Sequence, residues 1–205
     1  MIHTYIAYAP KNHPNNLGWA YRNFMDKIDD ENDWVCFLDH DATFTTKNWY
    51  TQLEDIVKKF SDYGLFTSMT NRVGNRYQIP LGIDRYNHNI VYHRGIGKKL
   101  QDTFYDSLTD YSDMEITLLS GHLILVKKKT WNIINGCTDG FLGVDNDIHK
   151  RCIDKGIKVG IMNGVYVYHW YRAEKEPTVQ TEMEEYYKTD FTKLNDFYAK
   201  HNLHS

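Results

Sequence analysis

Trp34-Val35-Cys36-Phe37-Leu38-Asp39-His40-Asp41 is the stretch from which the remainder of the chain can be read. Five apolar residues run without interruption and then give way to two carboxylates one residue apart. A strand that is apolar at every position has to be covered on both faces, as strands are in α/β sheets sandwiched between helices. The run stops at Asp39, so the chain leaves the sheet at the carboxyl end of a strand, where open α/β folds bind their ligands. Carboxylates at i and i+2 repel each other unless a cation or a proton lies between them. A hard divalent ion, Mn²⁺ or Mg²⁺, with phosphate oxygens in its remaining positions, suits such a pair. The plainer reading, in which Asp41 only caps the element that follows, stays open here.

Working outward, the chain alternates helix and strand patterns. Tyr5 to Ala9 reads as a short strand ending at Pro10, and Leu17, Tyr21, Phe24, Met25 and Ile28 recur at helical spacing before the acidic run Asp29 to Asp33. Beyond the carboxylates, Trp49, Leu53, Ile56, Val57 and Phe60 mark a second amphipathic helix, and Leu65 to Ser68 a strand. From Thr70 to about Asn89 the chain is polar, Gly-punctuated and aromatic, which predicts a long functional loop or a small hairpin. Leu118 to Val126 is apolar again, and Lys127-Lys128-Lys129 predicts a polar turn. Val144, Ile148 and Cys152 mark a short helix ended by Gly156, and Ile157–Met162 and Val165–Tyr168 read as strands. Met183, Tyr187, Phe191, Leu194 and Tyr198 lie on one face of an amphipathic helix, a C-terminal extension over about 178–202. Its opposite face carries Glu182, Glu184 and Glu185, which favours packing on the domain over an acidic membrane.

The fold expected is therefore α/β: one domain over 1–205 with a mixed, mostly parallel central sheet flanked by helices. At 205 residues the chain suits a single core. Its 24 basic and 27 acidic residues give a charge of −3, which argues against a general nucleic-acid binder. Aromatic residues make up 15 %, including sixteen tyrosines, and such rings suit either a polar ligand with apolar faces, such as a sugar, or a Tyr-rich core. No apolar run approaches the roughly 18 residues that span a bilayer, and Met1 to Tyr5 lacks the basic start of an export signal. Cys36, Cys137 and Cys152 are too scattered for a disulfide framework. A soluble, unexported, cytoplasmic protein is the expectation.

Two further stretches carry chemistry. Gly140-Phe141-Leu142-Gly143-Val144-Asp145-Asn146-Asp147 places Asp145 and Asp147 in the first turn of a helix, where the helix dipole favours charged carboxylates. That setting suits a base, and it equally suits plain helix stability. Val165-Tyr166-Val167-Tyr168-His169-Trp170-Tyr171-Arg172 delivers a histidine and aromatic rings from the end of a strand.

The order of these features, with Ser120-Gly121-His122-Leu123 between them, resembles the nucleotide-sugar-dependent glycosyltransferases of the GT-A fold, the family 2 group above all. The C-terminal half also resembles the polypeptide N-acetylgalactosaminyltransferases, and the likeness covers about residues 15 to 172. Asn16-Leu17-Gly18 followed by Arg22-Asn23 is similar to the helix that precedes the metal motif in that group. The resemblance implies a Rossmann-like GT-A domain. It also implies a divalent ion, Mn²⁺ or Mg²⁺, held by Asp39, Asp41 and His169, and inverting transfer with Asp145 as the base. It gives donor binding, of a nucleoside diphosphate sugar such as a UDP-sugar, to Ala9, Pro10, Asn16, His40, Arg72 and Arg172, with Asn71 and Arg76 as further polar contacts. It gives acceptor binding to Gly121, His122, Asp147, Trp170 and Tyr171, the last two as a stacking lid. Val144 stands where the group has the first acid of a Glu-Asp pair, and one strand and one helix precede Asp39 where the group has about two βαβ units. The nucleotide and the acceptor, whether glycan, small molecule, protein or modified nucleobase, stay open. Two other classes fit the same residues: a metal-dependent phosphohydrolase or nucleotidyltransferase, and a carbohydrate-binding module without catalysis.

Overall fold

The computed structural model describes residues 1–113 and 117–170. Along them run β1 (Ile2–Ile6), α1 (Leu17–Met25), β2 (Trp34–Leu38), β3 (Ala42–Phe44), α2 (Trp49–Lys59), β4 (Tyr63–Thr70), α3 (Ile90–Phe104), β5 (Leu108–Asp110), β6 (Leu123–Lys127), α4 (Lys128–Ile134), α5 (Val144–Asp154) and β7 (Lys158–His169). The strands form one sheet in the order β1-β2-β6-β4-β7-β3, with β5 also paired to β7. β1, β2, β4 and β7 point one way and β3, β5 and β6 the other, so the sheet is mixed with most strands parallel in direction. It is a Rossmann-like α/β domain, as the apolar run of β2 predicts.

β2 shows why. Its side chains alternate between two cores: Trp34, Cys36 and Leu38 pack with Leu53 and Ile56 of α2, while Val35 and Phe37 pack with α1, α4 and α5 through Tyr21, Trp131 and Ile148. All five are buried. Truncating a residue such as Phe37 to Ala costs about 3–5 kcal/mol at such a site.

Four details differ from the sequence expectation. β1 is Ile2–Ile6 rather than Tyr5 to Ala9, because Ile6 already stands opposite Leu38, where its partner strand ends. α3 falls where no apolar stripe exists. Its buried residues are His93 and Gly97, and a Cβ at Gly97 would collide with the Thr45 side chain. Lys127-Lys128-Lys129 is not a turn but the junction of β6 with α4. The two expected C-terminal strands are the single β7, whose pairing with β4 jumps from Met162 to Tyr166 across a bulge. The C-terminal extension expected over 178–202 lies outside the described residues. Among the described residues no helix is long and apolar enough to cross a membrane.

Candidate metal centre and its cavity

Backbone pairing brings the three expected metal ligands together. After β2 ends, the Asp39 N–H still donates to the His122 carbonyl at 3.1 Å, and the Ala42 N–H donates back to the Asp39 carbonyl at 3.1 Å, reversing the chain into β3. β3 pairs antiparallel with the end of β7, setting Ala42 opposite His169, and the Trp170 N–H donates to the Asp41 carbonyl at 2.8 Å. The side chains of Asp39, Asp41 and His169 each offer one ligand atom, all within 4.8 Å of one another.

The imidazole is oriented from behind. Asn71 Oδ1 accepts the His169 backbone N–H at 2.8 Å, and the Arg72 carbonyl lies 3.0 Å from His169 Nδ1. A carbonyl only accepts, so Nδ1 carries a proton and Nε2 is the ring nitrogen that faces the acids. Nε2 is 3.2 Å from Asp41 Oδ1 and 3.6 Å from Asp39 Oδ2. Two carboxylates and one imidazole nitrogen thus face one another, an arrangement that needs a cation or a proton at its centre. Burial pushes the Asp39 carboxyl up to about 7, with Asp41 and Asp145 adding to the shift and His169 opposing it. Burial also acts on Asp41, but the hydrogen bond and charge of His169 and the charge of His40 outweigh it and hold that carboxyl low. One carboxylate ready to ionise, one reluctant and one imidazole nitrogen fit a divalent ion. The nitrogen donor favours Mn²⁺ over Mg²⁺.

The triad lines one side of a cavity of about 350 Å³. His40 borders it beside the triad. Gly121, His122 and Asp145 form another wall, and Ala7, Leu17, Tyr21, Phe141 and Leu142 make its apolar part. Asp145 sits in the first turn of α5, where Oδ2 accepts the Gly121 N–H at 2.7 Å, and burial raises its pKa. Glycine is required at 121 for contact rather than for backbone freedom: a Cβ there would lie 2.6 Å from the Asp145 Cβ.

The segment before β6 is neither helix nor strand, yet it is buried, so its backbone groups need partners. Side chains supply them. Asn75 Nδ2 donates to the Leu118 carbonyl at 3.2 Å and Asn146 Nδ2 to that of Leu119 at 3.0 Å. The Leu119 N–H donates to His149 Nδ1 at 3.1 Å. Gln78 grips Ser120 at both ends, accepting its N–H at 2.8 Å and donating to its carbonyl at 3.0 Å. Gly121 and His122 are thereby held at the cavity wall.

The other expected residues are dispersed. Asn16 caps α1, accepting from the Trp19 N–H at 2.8 Å and the Gly140 N–H at 3.1 Å, so it braces the 138–143 loop instead of facing the cavity. Arg22 reinforces that brace through Asp139 and the Cys137 carbonyl. Ala9 and Pro10 follow β1 and do not line the cavity, although Ala7 does. The Arg72 guanidinium lies over the Tyr86 ring at 4.8 Å. Asp147 is engaged inside the fold: it is 5 % exposed, accepts the Thr138 N–H at 2.7 Å and pairs with Arg151. It does not line the cavity. Trp170 is partly exposed beside the triad, 5.7 Å from the His88 ring. Tyr171 and Arg172 lie outside the described residues. The cavity also takes in residues the sequence reading passes over for a site, Leu17, Tyr21, Val73 and Ser120 among them. The only signal for Leu17 and Tyr21 is their i, i+4 spacing on a helix that points at the metal motif.

The chain is thus an α/β protein with a candidate Asp-Asp-His metal centre on a cavity at the carboxyl ends of its parallel strands. No family model matches it, and no curated protein matches it either.

Proposed function

We propose that the chain is a GT-A glycosyltransferase that moves a glycosyl group from a nucleoside diphosphate sugar to an acceptor hydroxyl, using Mn²⁺ or Mg²⁺. The observation that carries this reading is the convergence of Asp39, Asp41 and His169 on one side of a cavity whose other wall presents Asp145. Asp39, Asp41 and His169 would hold the ion. When bound, the ion supplies Lewis-acid neutralisation of the departing diphosphate, an effect worth several kcal/mol. In the transfer, the bond from the anomeric carbon to the diphosphate oxygen breaks, its electron pair leaves with the diphosphate, and the acceptor oxygen bonds to that carbon from the opposite face. Asp145 takes the acceptor's proton. Its burial raises its basicity toward the working pH, and its tie to Gly121 fixes its position, which together suit a general base. The aromatic and apolar wall gives a sugar face something to pack on.

The test is donor binding and turnover. A panel of nucleoside diphosphate sugars is screened by thermal shift with and without Mn²⁺, since a ligand at 100 times its Kd stabilises by about 2.7 kcal/mol. The expected result is metal-dependent stabilisation by one donor, slow hydrolysis of it alone, and transfer when acceptor hydroxyls are supplied. Brisk phosphoester hydrolysis with no acceptor would assign the site to a phosphohydrolase instead. Binding of free sugar without nucleotide or metal would make it a carbohydrate-binding module.

A further inference from the structure

Tyr21 is the one cavity-lining side chain of α1 that is both polar and almost sealed. It is 2 % exposed, its ring stacks on Phe37 with centroids 4.3 Å apart, and it borders the cavity. Asp39 follows β2 two residues after Phe37, its N–H still bonded to the His122 carbonyl, so the two project to the same side of the sheet, which carries the Tyr21 hydroxyl toward Asp39. Asp145 comes from α5 on that same face. Among the described residues the hydroxyl makes no hydrogen bond, and it is not fully enclosed either, so it opens on the cavity that Tyr21 lines. Burial, and then the charges of Asp39 and Asp145, push its pKa well above the usual phenol value, so it keeps its proton and acts only as a neutral hydroxyl. A phenylalanine would stack on Phe37 equally well, so the packing does not call for the hydroxyl. The hydroxyl is therefore placed to donate to whatever occupies the cavity.

The chemistry of that occupant follows from what surrounds the hydroxyl. A group lying between a phenol O–H and a carboxylate has to accept one hydrogen bond and donate another. An alcohol does both. A phosphate oxygen accepts only, and would face the carboxylate as one anion against another. The neighbouring Ala7, Leu17 and Leu142 offer only apolar contact, and the ion that would offset such repulsion is the one that Asp39, Asp41 and His169 would hold for the diphosphate.

We propose that Tyr21 is a specificity-determining residue whose hydroxyl donates to an uncharged hydroxyl oxygen of the substrate, that same substrate hydroxyl donating in turn to Asp145. The inference rests on the donor-sugar reading above. It names the sugar hydroxyls, rather than the diphosphate, as what Tyr21 touches.

The experiment compares Tyr21→Phe with the wild type by calorimetry in Mn²⁺, measuring each nucleoside diphosphate sugar of the panel beside its parent nucleoside diphosphate. The ring stack survives in this variant, and unchanged thermal stability without ligand checks that the fold does too. The expected result is a loss of about tenfold in affinity for the sugar nucleotide that the wild type prefers, with affinity for the parent nucleoside diphosphate unchanged. Deoxy analogues of that donor should then show one position at which removing the substrate hydroxyl makes Tyr21→Phe and wild type bind alike. Equal losses for donor and parent nucleotide, or no loss for either, would overturn the Tyr21 assignment while leaving the donor reading intact. A wild type that binds neither nucleotide nor sugar nucleotide with Mn²⁺ would overturn the donor reading, and the Tyr21 proposal with it.

Discussion

Ala42 stands opposite His169 in the β3–β7 ladder, and this one register brings the imidazole to the carboxylates of Asp39 and Asp41. The three-residue strand β3 is too short to matter much for stability. Its role is to turn the end of β2 back across the sheet, so that a histidine from a strand not adjacent to β2 comes within 3.2 Å of Asp41.

Metal binding is expected to depend on all three side chains and on pH. Asp41→Asn or His169→Ala should weaken Mn²⁺ binding at least about 100-fold, more than the 10–100-fold typical of residues that only orient ligands. The fold should survive, since both side chains border the cavity. Because Asp39 holds its proton up to about 7 without the ion, Mn²⁺ must displace that proton, and affinity should fall as pH drops below 7 and level off above it. Calorimetric titration of Mn²⁺ between pH 5.5 and 8.5 measures both effects. Equal Mn²⁺ affinity in the Asp41→Asn variant would remove the site.

Folding stability should carry the signature of buried neutral histidines. His149 is fully buried, accepts the Leu119 N–H at Nδ1, and is lowered to about 4, chiefly by burial. A histidine in the unfolded chain titrates near 6.5, so between 6.5 and 4 the unfolded state binds a proton that the folded state refuses. Stability is therefore complete above 6.5 and is lost as pH falls toward 4, by on the order of 3 kcal/mol from this residue in full. His93 and His122 are lowered too, chiefly by burial, and act in the same direction. Urea unfolding at pH 7.5 and pH 5 should show the drop. His149→Asn, which retains an acceptor for Leu119, should be less stable at pH 7.5 but lose less on acidification. A variant that loses as much as the wild type would show that His149 is not the source.

How far the sequence foretells the molecule depends on whether a residue declares itself by pattern or by partner. β2, α1, α2 and α5 were legible because their buried faces are apolar and periodic. α3 was not, because it docks through His93 and Gly97. His93 Nε2–H donates to the Asn87 carbonyl at 2.6 Å and Nδ1 accepts from the Tyr166 hydroxyl at 2.8 Å, contacts with no periodicity to detect. The metal triad was legible because carboxylates at the end of an apolar strand are physically conspicuous. Asp147 illustrates the converse. In sequence it is as prominent as Asp145, two positions away, but a helix rotates residues two apart to different faces, so one acid meets the cavity and the other meets Arg151. Tyr21 looked like any core aromatic until its hydroxyl proved to have no bond.

The clamp on the segment before β6 makes the last prediction. Gln78 is fully buried, and its amide satisfies the Ser120 N–H and carbonyl together while also donating to Thr67 Oγ1 at 3.0 Å. Gln78→Leu fills nearly the same volume but leaves the partly buried Ser120 N–H and carbonyl without their side-chain partner. Each such group costs about 1–3 kcal/mol, so a total loss of about 3 kcal/mol is expected. The damage should be local as well as global, because Ser120 precedes the glycine that holds Asp145. Hydrogen exchange at the Ser120 and Gly121 amides should therefore accelerate more than at Cys36 in β2, whose protection reports opening of the sheet. If the Ser120 and Gly121 amides stay as protected as in the wild type relative to Cys36, Gln78 stabilises the fold without organising the cavity wall, and the clamp is not what positions Asp145.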